Sequence, residues 1–197
     1  MKKIILNLGC GKTRIPHSIG VDVIKIENYV DVVLDLNILP YSFAQESVNE
    51  IHMYHVLEHL QNPLAKMEEL YRILRPKGVI YLRVPHFSSM GAFSDITHVR
   101  PFGFTSFDIL EQSDYHHFYS RKAKFKIIRK EIKYSGLYPN SGLYADYIHE
   151  NECFWLVRPF VRIINFFIGL SPIFFERIWC YWVGGATEIV FVLQKEK

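Results

Sequence analysis

The chain has 197 residues, 49% hydrophobic and 22% charged, which is enough for one globular domain with a sizeable core. Its formal net charge of +3 is too mild to mark a nucleic-acid binder, so no nucleic-acid partner is expected. Its three cysteines are too scattered for a disulfide framework or a C-x-x-C pair, which implies a reducing, cytosolic compartment. The opening "MKKIILNLGCG" carries two lysines and a short apolar run, but Asn7 and two glycines arrive too early for a signal peptide. No run of about 18 uninterrupted apolar residues is present, which argues against a membrane span.

Lys3 to Leu8 is an apolar run that stops at Gly9, the pattern of a buried strand. Ser18 to Val23 ("SIGVDV") and valine-rich Tyr29 to Leu36 ("YVDVVLDL") read as a second and a third strand. "VNEIHMYHVLEHL" changes from strand-like to helix-like near Tyr54. Asn62-Pro63 opens a helix whose apolar face carries Leu64, Met67, Leu70, Tyr71 and Leu74, with Pro76 and Gly78 as its stop. Val79 to Pro85 has the pattern of a central strand. Lys124 to Tyr134 alternates like a later one, and Glu188 to Glu196 closes the chain as another. Strands alternating with helical segments predict an α/β fold with a mostly parallel sheet, the last two strands forming an antiparallel edge. The links 11–18 and 24–30 are shorter than the dozen or so residues of an ordinary parallel crossover, so little helix should cover that side.

The stretch "ILNLGCGKT" ends like a P-loop, but Leu6 stands where its first glycine belongs. That position lies inside the strand, so no loop exists to wrap a phosphate. Gly9 and Gly11 fit a sharp bend that brings main chain against a ligand beyond the carboxyl end of the first strand. Asp22, ending the second strand, suits a ribose diol, and Asp35, after the third, suits an adenine amino group. A dinucleotide-binding domain is the near alternative. Its third glycine would stand at Arg14, and Asp22 comes too soon for its acidic residue.

Taken in order, these motifs resemble the class I S-adenosylmethionine-dependent methyltransferases, in particular the small methyltransferase-11-like and ubiquinone-biosynthesis-like group. "NLGCG" is similar to their D/E-x-G-x-G motif, "GVDV" to the ribose-binding strand end, and "LDL" (34–36) to the adenine segment. "HVLEHL" and "LRPKG" are similar to the loop after strand four and the turn before strand five. The resemblance implies a Rossmann-like methyltransferase sheet with S-adenosyl-L-methionine as cofactor. It implies a cofactor site of Asn7, Gly9, Cys10, Gly11, Asp22, Asp35, Leu36 and His55, with the backbone near Tyr54 and His55 lining the methionine part. Asn7 stands where the family has an acid, which weakens one contact to the methionine end, and Thr13 stands where many members have a third glycine.

"HVLEH" (55–59) also matches H-x-x-E-H, the inverted zinc-protease motif. His55 reads as a strand end, so the two histidines need not share a helix face. The plainer reading has His59 capping or packing at a helix start, with Leu57 and Leu60 in the core, and no metal is expected. The segment 84–110 holds His86, Asp95, His98 and Arg100 in a glycine- and serine-rich loop on the active rim. A self-satisfied structural loop, a substrate-recognition loop and an ion site at Asp95 and His98 are the competing readings; recognition is favoured because Pro85-His86 lies just past the fifth strand. On that reading His98 is the expected catalytic base with Asp95 as its orienter, and His86 is the second candidate. Arg100 would bind an acidic group on the acceptor. A helix is expected from Thr105 or Ser106, with Ser106 as its cap.

Residues 138–183 are dense in aromatic and branched side chains, interrupted by Arg158, Arg162 and Arg177, and Pro159 and Pro172 break them into short helices. Three roles stand open: packing on the sheet face left bare by the short links, a lid or homodimer contact, and peripheral attachment to a membrane surface. The expected architecture is a single methyltransferase domain over 1–197 with this helical insert. The expected acceptor is a small molecule or glycan. Chains of this outline resemble enzymes of surface-polysaccharide biosynthesis, which implies a cytoplasmic setting or the inner face of the membrane. The alternative is a non-catalytic cofactor-binding module that engages a partner protein through its aromatic insert.

Overall fold

The computed structural model describes residues 3–111, 123–134, 158–182 and 185–196. Seven strands form one sheet: β1 (Ile5–Leu8), β2 (Ile19–Asp22), β3 (Val32–Val33), β4 (Val48–Tyr54), β5 (Leu74–Pro85), β6 (Phe125–Lys133) and β7 (Glu188–Lys195). Their order is β3-β2-β1-β4-β5-β7-β6. β1 to β5 run parallel, and β7 lies antiparallel to both β5 and β6, as the closing pattern predicts.

Register explains why the apolar runs fold this way. Leu6, Ile51, Ile80 and Leu193 stand side by side across four strands, and Leu8, Met53, Leu82 and Phe191 form the next row. All eight are fully buried. Each such side chain contributes roughly 1.5–3 kcal/mol of burial, so a slip of one residue would expose the whole set.

The helix α1 (Pro63–Ile73) packs on the sheet through Met67, Leu70 and Ile73. Its N-terminus is capped by the Asn62 side chain, which accepts the Ala65 N–H at 3.2 Å, with Pro63 in the first turn. It ends at Ile73, earlier than the predicted stop. Pro76 keeps Arg75 out of the α region, and Leu74 already belongs to β5.

Three expectations are corrected. The third strand is only Val32–Val33, because flanking aspartates take backbone N–H groups: Asp31 accepts from Gly20, and Asp35 accepts from Asn37, both at 2.8 Å. No helix starts at Thr105 or Ser106. The Ser106 hydroxyl accepts the Gly103 N–H at 2.8 Å in a tight turn, and burial of Phe107 and Leu110 leaves room only for the short 3₁₀ turn Asp108–Leu110. The third concerns the aromatic helices that follow the short helix α2 (Met90–Ser94) of the loop after β5: α3 (Arg158–Leu170) and α4 (Pro172–Trp182), bent by 101° at the break before Pro172. They dock at β6 and the loop after β5, the opposite edge of the sheet from the short links. Asn165 exchanges two 2.8 Å hydrogen bonds with the Tyr134 backbone there, and Val161, Ile168 and Phe175 are buried. The predicted insert's residues 138–157 and 183 lie outside the described residues. The links 11–18 and 24–30 are turns without helix, as their length requires.

Candidate active site

The carboxyl ends of β1, β2 and β4 meet at one rim. Gly9 has φ +66°, and a Cβ there would stand 2.2 Å from Val56 Cγ2, so only glycine lets the turn after β1 pass under the segment following β4. Gly11 has φ +50°, and a Cβ there would meet nothing within 4 Å, so its backbone faces open space at the rim. Asn7 is buried and donates from Nδ2 to the Thr13 carbonyl at 3.0 Å, closing the turn from below. An acid there could not make that bond, which gives the departure at Asn7 a structural purpose. Cys10 is buried against the Tyr29 carbonyl, and burial, helped by Asp22, pushes its thiol up to about 11.

Asp22 accepts the Gly11 N–H on Oδ2 at 2.8 Å, and the Val23 and Ile24 N–H groups on Oδ1 at 2.8 and 3.3 Å. One further lone pair on Oδ2 is left of the roughly four that a carboxylate offers. Asp22 pairs in register with Val33, two residues before Asp35, and the Leu34 N–H donates to the Asp22 carbonyl at 2.9 Å. Asp35 therefore lies two residues beyond the position beside Asp22, past the end of a neighbouring strand about 4.8 Å away. Leu36 is buried beside them.

Beyond β4 the chain turns at His55, held at φ +55°. Its Nε2 lies 3.1 Å from Glu188 Oε2, and its Nδ1 lies 3.5 Å from Glu58 Oε1. Burial alone would lower this imidazole, but the Glu188 and Glu58 carboxylates outweigh it and raise the group to about 9. Glu188 also takes Arg83 in a two-point pair, and burial, which would raise its carboxyl, is outweighed by His55 and Arg83, so it stays below the usual carboxylate range. His55 thus turns away from His59, and the two do not converge as a zinc-protease pair would require. Leu57 and Leu60 are buried, as expected, around the short turn Leu57–His59.

The loop after β5 folds back on the rim. His86 is fully buried. Its Nδ1 accepts the Ser88 N–H at 3.1 Å, so Nε2 carries the proton and donates to Glu176 Oε1 on α4 at 3.0 Å. His86 is therefore placed as a strut between β5 and α4. Asp95 accepts the Thr97 N–H and hydroxyl at 2.8 and 2.6 Å, and its nearest oxygen is 3.8 Å from His98 Nε2, too long for the expected orienting hydrogen bond. His98 instead stands edge-on to His59, ring centroids 4.6 Å apart, and the Val99 N–H ties the loop to the Glu58 carbonyl at 2.7 Å. Arg100 is exposed two residues further on. Sequence reasoning missed Arg83, Thr97, Glu176 and Glu188. The only signal available was a charged residue set against an apolar run, Arg83 within Val79–Pro85 and Glu188 just ahead of 189–193.

A family model described as a methyltransferase domain matches residues 3–123. Among solved structures, a SAM-dependent methyltransferase from Archaeoglobus fulgidus is 19% identical with TM-score 0.57, over 98% of this chain and 86% of its own. The complex between the Haloferax volcanii Trm112 methyltransferase activator and a putative methyltransferase is 14% identical with TM-score 0.55, covering 99% and 83%. Coclaurine N-methyltransferase bound to N-methylheliamine and SAH is 12% identical with TM-score 0.52, covering 98% and 67%. No curated protein matches in sequence. The rim fits the S-adenosylmethionine of such enzymes: Gly11 offers open backbone, Asp22 Oδ2 retains a lone pair for a hydroxyl, and Asp35 and Leu36 flank the same strand ends. With the matched family model, the sheet order and this rim in agreement, the chain belongs to the methyltransferase-domain family and is an S-adenosylmethionine-dependent methyltransferase of Rossmann-like fold.

Proposed function

We propose that this enzyme methylates a glycan-like or other small hydroxyl-bearing acceptor presented at the inner, cytoplasmic face of an anionic membrane, as in the assembly of a surface polysaccharide. The observation that carries this reading is the outer face of α3 and α4. Phe160, Phe166, Phe167, Trp179, Tyr181 and Trp182 are all exposed there, Trp182 at 85%, together with Arg162 and Arg177. Aromatic faces flanked by arginines suit a headgroup boundary. The pair's only acid in sequence, Glu176, is turned inward to His86, so the outer face carries positive charge alone. No single helix among the described residues is long and apolar enough to cross a membrane. At roughly 18 Å each, α3 and α4 are shorter than the ~30 Å hydrocarbon core, which favours lying in the interface. The Glu176–His86 contact links this face to the end of β5, so a docked acceptor meets the rim where the methyl donor binds.

S-adenosylmethionine supplies an electrophilic methyl group on a sulfonium sulfur. The chain's own residues orient the acceptor and handle its proton. On this reading His98 acts on the acceptor hydroxyl through Nε2, whose lone pair is open to a proton or a cation, and Arg100 meets an acidic group on the acceptor.

Flotation with phosphatidylglycerol vesicles tests the membrane part. The protein should rise with anionic vesicles, rise less with phosphatidylcholine, and stay down when Phe167 and Trp182 are both replaced by serine. Sedimentation away from both vesicle types would end the membrane reading. Turnover should be faster on a lipid-linked saccharide in vesicles than on the same sugar free in water; equal rates would remove the lipid-linked acceptor. The Haloferax complex with its activator favours a second reading, in which a partner protein or a second copy covers the same aromatic face. Light scattering of the isolated chain separates that case, since a stable dimer would hide the face from vesicles.

A further inference from the structure

Glu58 sits in the short turn after β4 with 1% exposure, and neither carboxylate oxygen has a hydrogen-bond partner among the described residues. A buried carboxylate left this way is costly unless a cation satisfies it. His55 Nδ1 stands 3.5 Å from Oε1, an ion-pair distance that still leaves the carboxylate without a hydrogen bond among the described residues. The adjoining residue His59 and the loop residue His98 bring ring nitrogens to the same place, so that one ligand atom from each of Glu58, His59 and His98 lies within 4.8 Å of the other two.

Hydrogen bonding fixes which nitrogens are available. The Thr97 hydroxyl gives its one proton to Asp95 Oδ1 at 2.6 Å, so toward His59 Nδ1, 2.8 Å away, its oxygen can only accept. His59 therefore carries its proton on Nδ1 and presents a bare lone pair at Nε2. His98 Nδ1 lies 3.3 Å from the Ala92 carbonyl, which also can only accept, so His98 likewise presents its lone pair at Nε2. An imidazole that donates Nδ1–H to an oxygen and keeps Nε2 free has the arrangement of a metal ligand held by its outer shell. Asp95, through Thr97, supplies that outer shell for His59. The Val99 N–H bond to the Glu58 carbonyl, 2.7 Å, clamps the loop that carries His98 onto the turn that carries the other two.

We propose that Glu58, His59 and His98 bind one first-row divalent transition-metal ion, of the Mn²⁺, Co²⁺ or Zn²⁺ class. Two imidazoles and one carboxylate favour these borderline ions over Mg²⁺ or Ca²⁺, which prefer all-oxygen shells. Three protein ligands leave coordination positions for water or for an oxygen of the acceptor. An ion there would bind the acceptor hydroxyl directly and lower its pKa, so that its proton would pass to solvent and not to His98, whose Nε2 lone pair the ion would occupy. That use of the ion rests on the methyl-transfer reading above; its binding does not.

Chelator-treated full-length protein, dialysed against CoCl₂ without methyl donor or acceptor, should take up about one Co²⁺ per chain and develop the visible bands of histidine-ligated cobalt. MgCl₂ should not compete at equal concentration. His98→Ala, in the loop, should abolish stoichiometric uptake, and Thr97→Val should weaken it about tenfold by freeing the His59 ring. Glu58→Gln should also lose the ion. If that buried variant does not fold, the two loop variants, checked for unchanged melting temperature, decide the matter alone. Wild-type protein that takes up no Co²⁺, or a folded His98→Ala that binds it as tightly as wild type, would overturn the site and leave methyl transfer untouched.

Discussion

The two halves of the active rim are built by different means. On the donor side, Asp22 is satisfied by backbone N–H groups at positions 11, 23 and 24, and Asp35 by that of Asn37, so most partners are near in sequence. Beyond β4 and β5 the partners are remote: His55 with Glu188, His86 with Glu176, His59 with Thr97, and Val99 with Glu58. The donor half is thus a property of local turns. The other half forms only when the last strand, α4 and the loop after β5 are all in place, and none of its contacts involves the glycine turn after β1.

Substitutions can break this contrast, beginning with the largest effect. Gly9→Ala should cost about 3–4 kcal/mol in denaturant unfolding, since it adds a left-handed alanine and a clash with Val56. It should also abolish donor binding by calorimetry; a variant of normal stability and affinity would show that the turn is not needed. Glu188→Gln, on the remote side, should cost about 3 kcal/mol by removing the carboxylate that the part-buried Arg83 and His55 share, while donor affinity stays within about twofold. The sign with pH follows from the lowered Glu188 carboxyl. Its contribution is complete above the unfolded value near 4.3 and is lost as pH falls below it, so the variant should lack this acid limb of the stability curve.

A smaller effect, on turnover alone, is expected from His98→Ala, which should lower kcat roughly a hundredfold, about 2.7 kcal/mol, with little change in donor affinity. A matching loss of donor binding would mean that the two halves are not separable. The finest test is Asn7→Asp, which installs the residue usual in the family. Here it should destabilise by about 1–2 kcal/mol, because a carboxylate cannot donate to the Thr13 carbonyl. A gain in stability would show that the turn is held some other way.

Most of the sheet was legible because strand burial writes itself into apolar runs: β1, β4, β5 and β7 fall close to where their patterns place them. The third strand was overread because Asp31 and Asp35 spend their side chains on local backbone rather than extending the ladder. The glycine bend and the acidic strand ends were legible for the same local reason, since each is defined within a few positions. At Asp95 and His98 the pattern paired two residues that do lie within ion-pair distance, 3.8 Å, but missed the other partner of each: Asp95 holds Thr97, and His98 also faces His59. Nothing in a linear pattern distinguishes a histidine turned to a neighbour three residues away from one turned to a residue thirty-nine positions earlier.

By itself, then, the order of residues determined the α/β class, the glycine bend and the acidic strand ends, because each depends on φ, ψ and burial preferences over a short span. Only the tertiary structure decided that His86 is a strut to α4, that Glu188 charges His55, and that Glu58, His59 and His98 converge. Those arrangements depend on β7 closing antiparallel against β5 and on the loop 95–99 folding onto the turn after β4, contacts between segments whose separation along the chain carries no periodic signature.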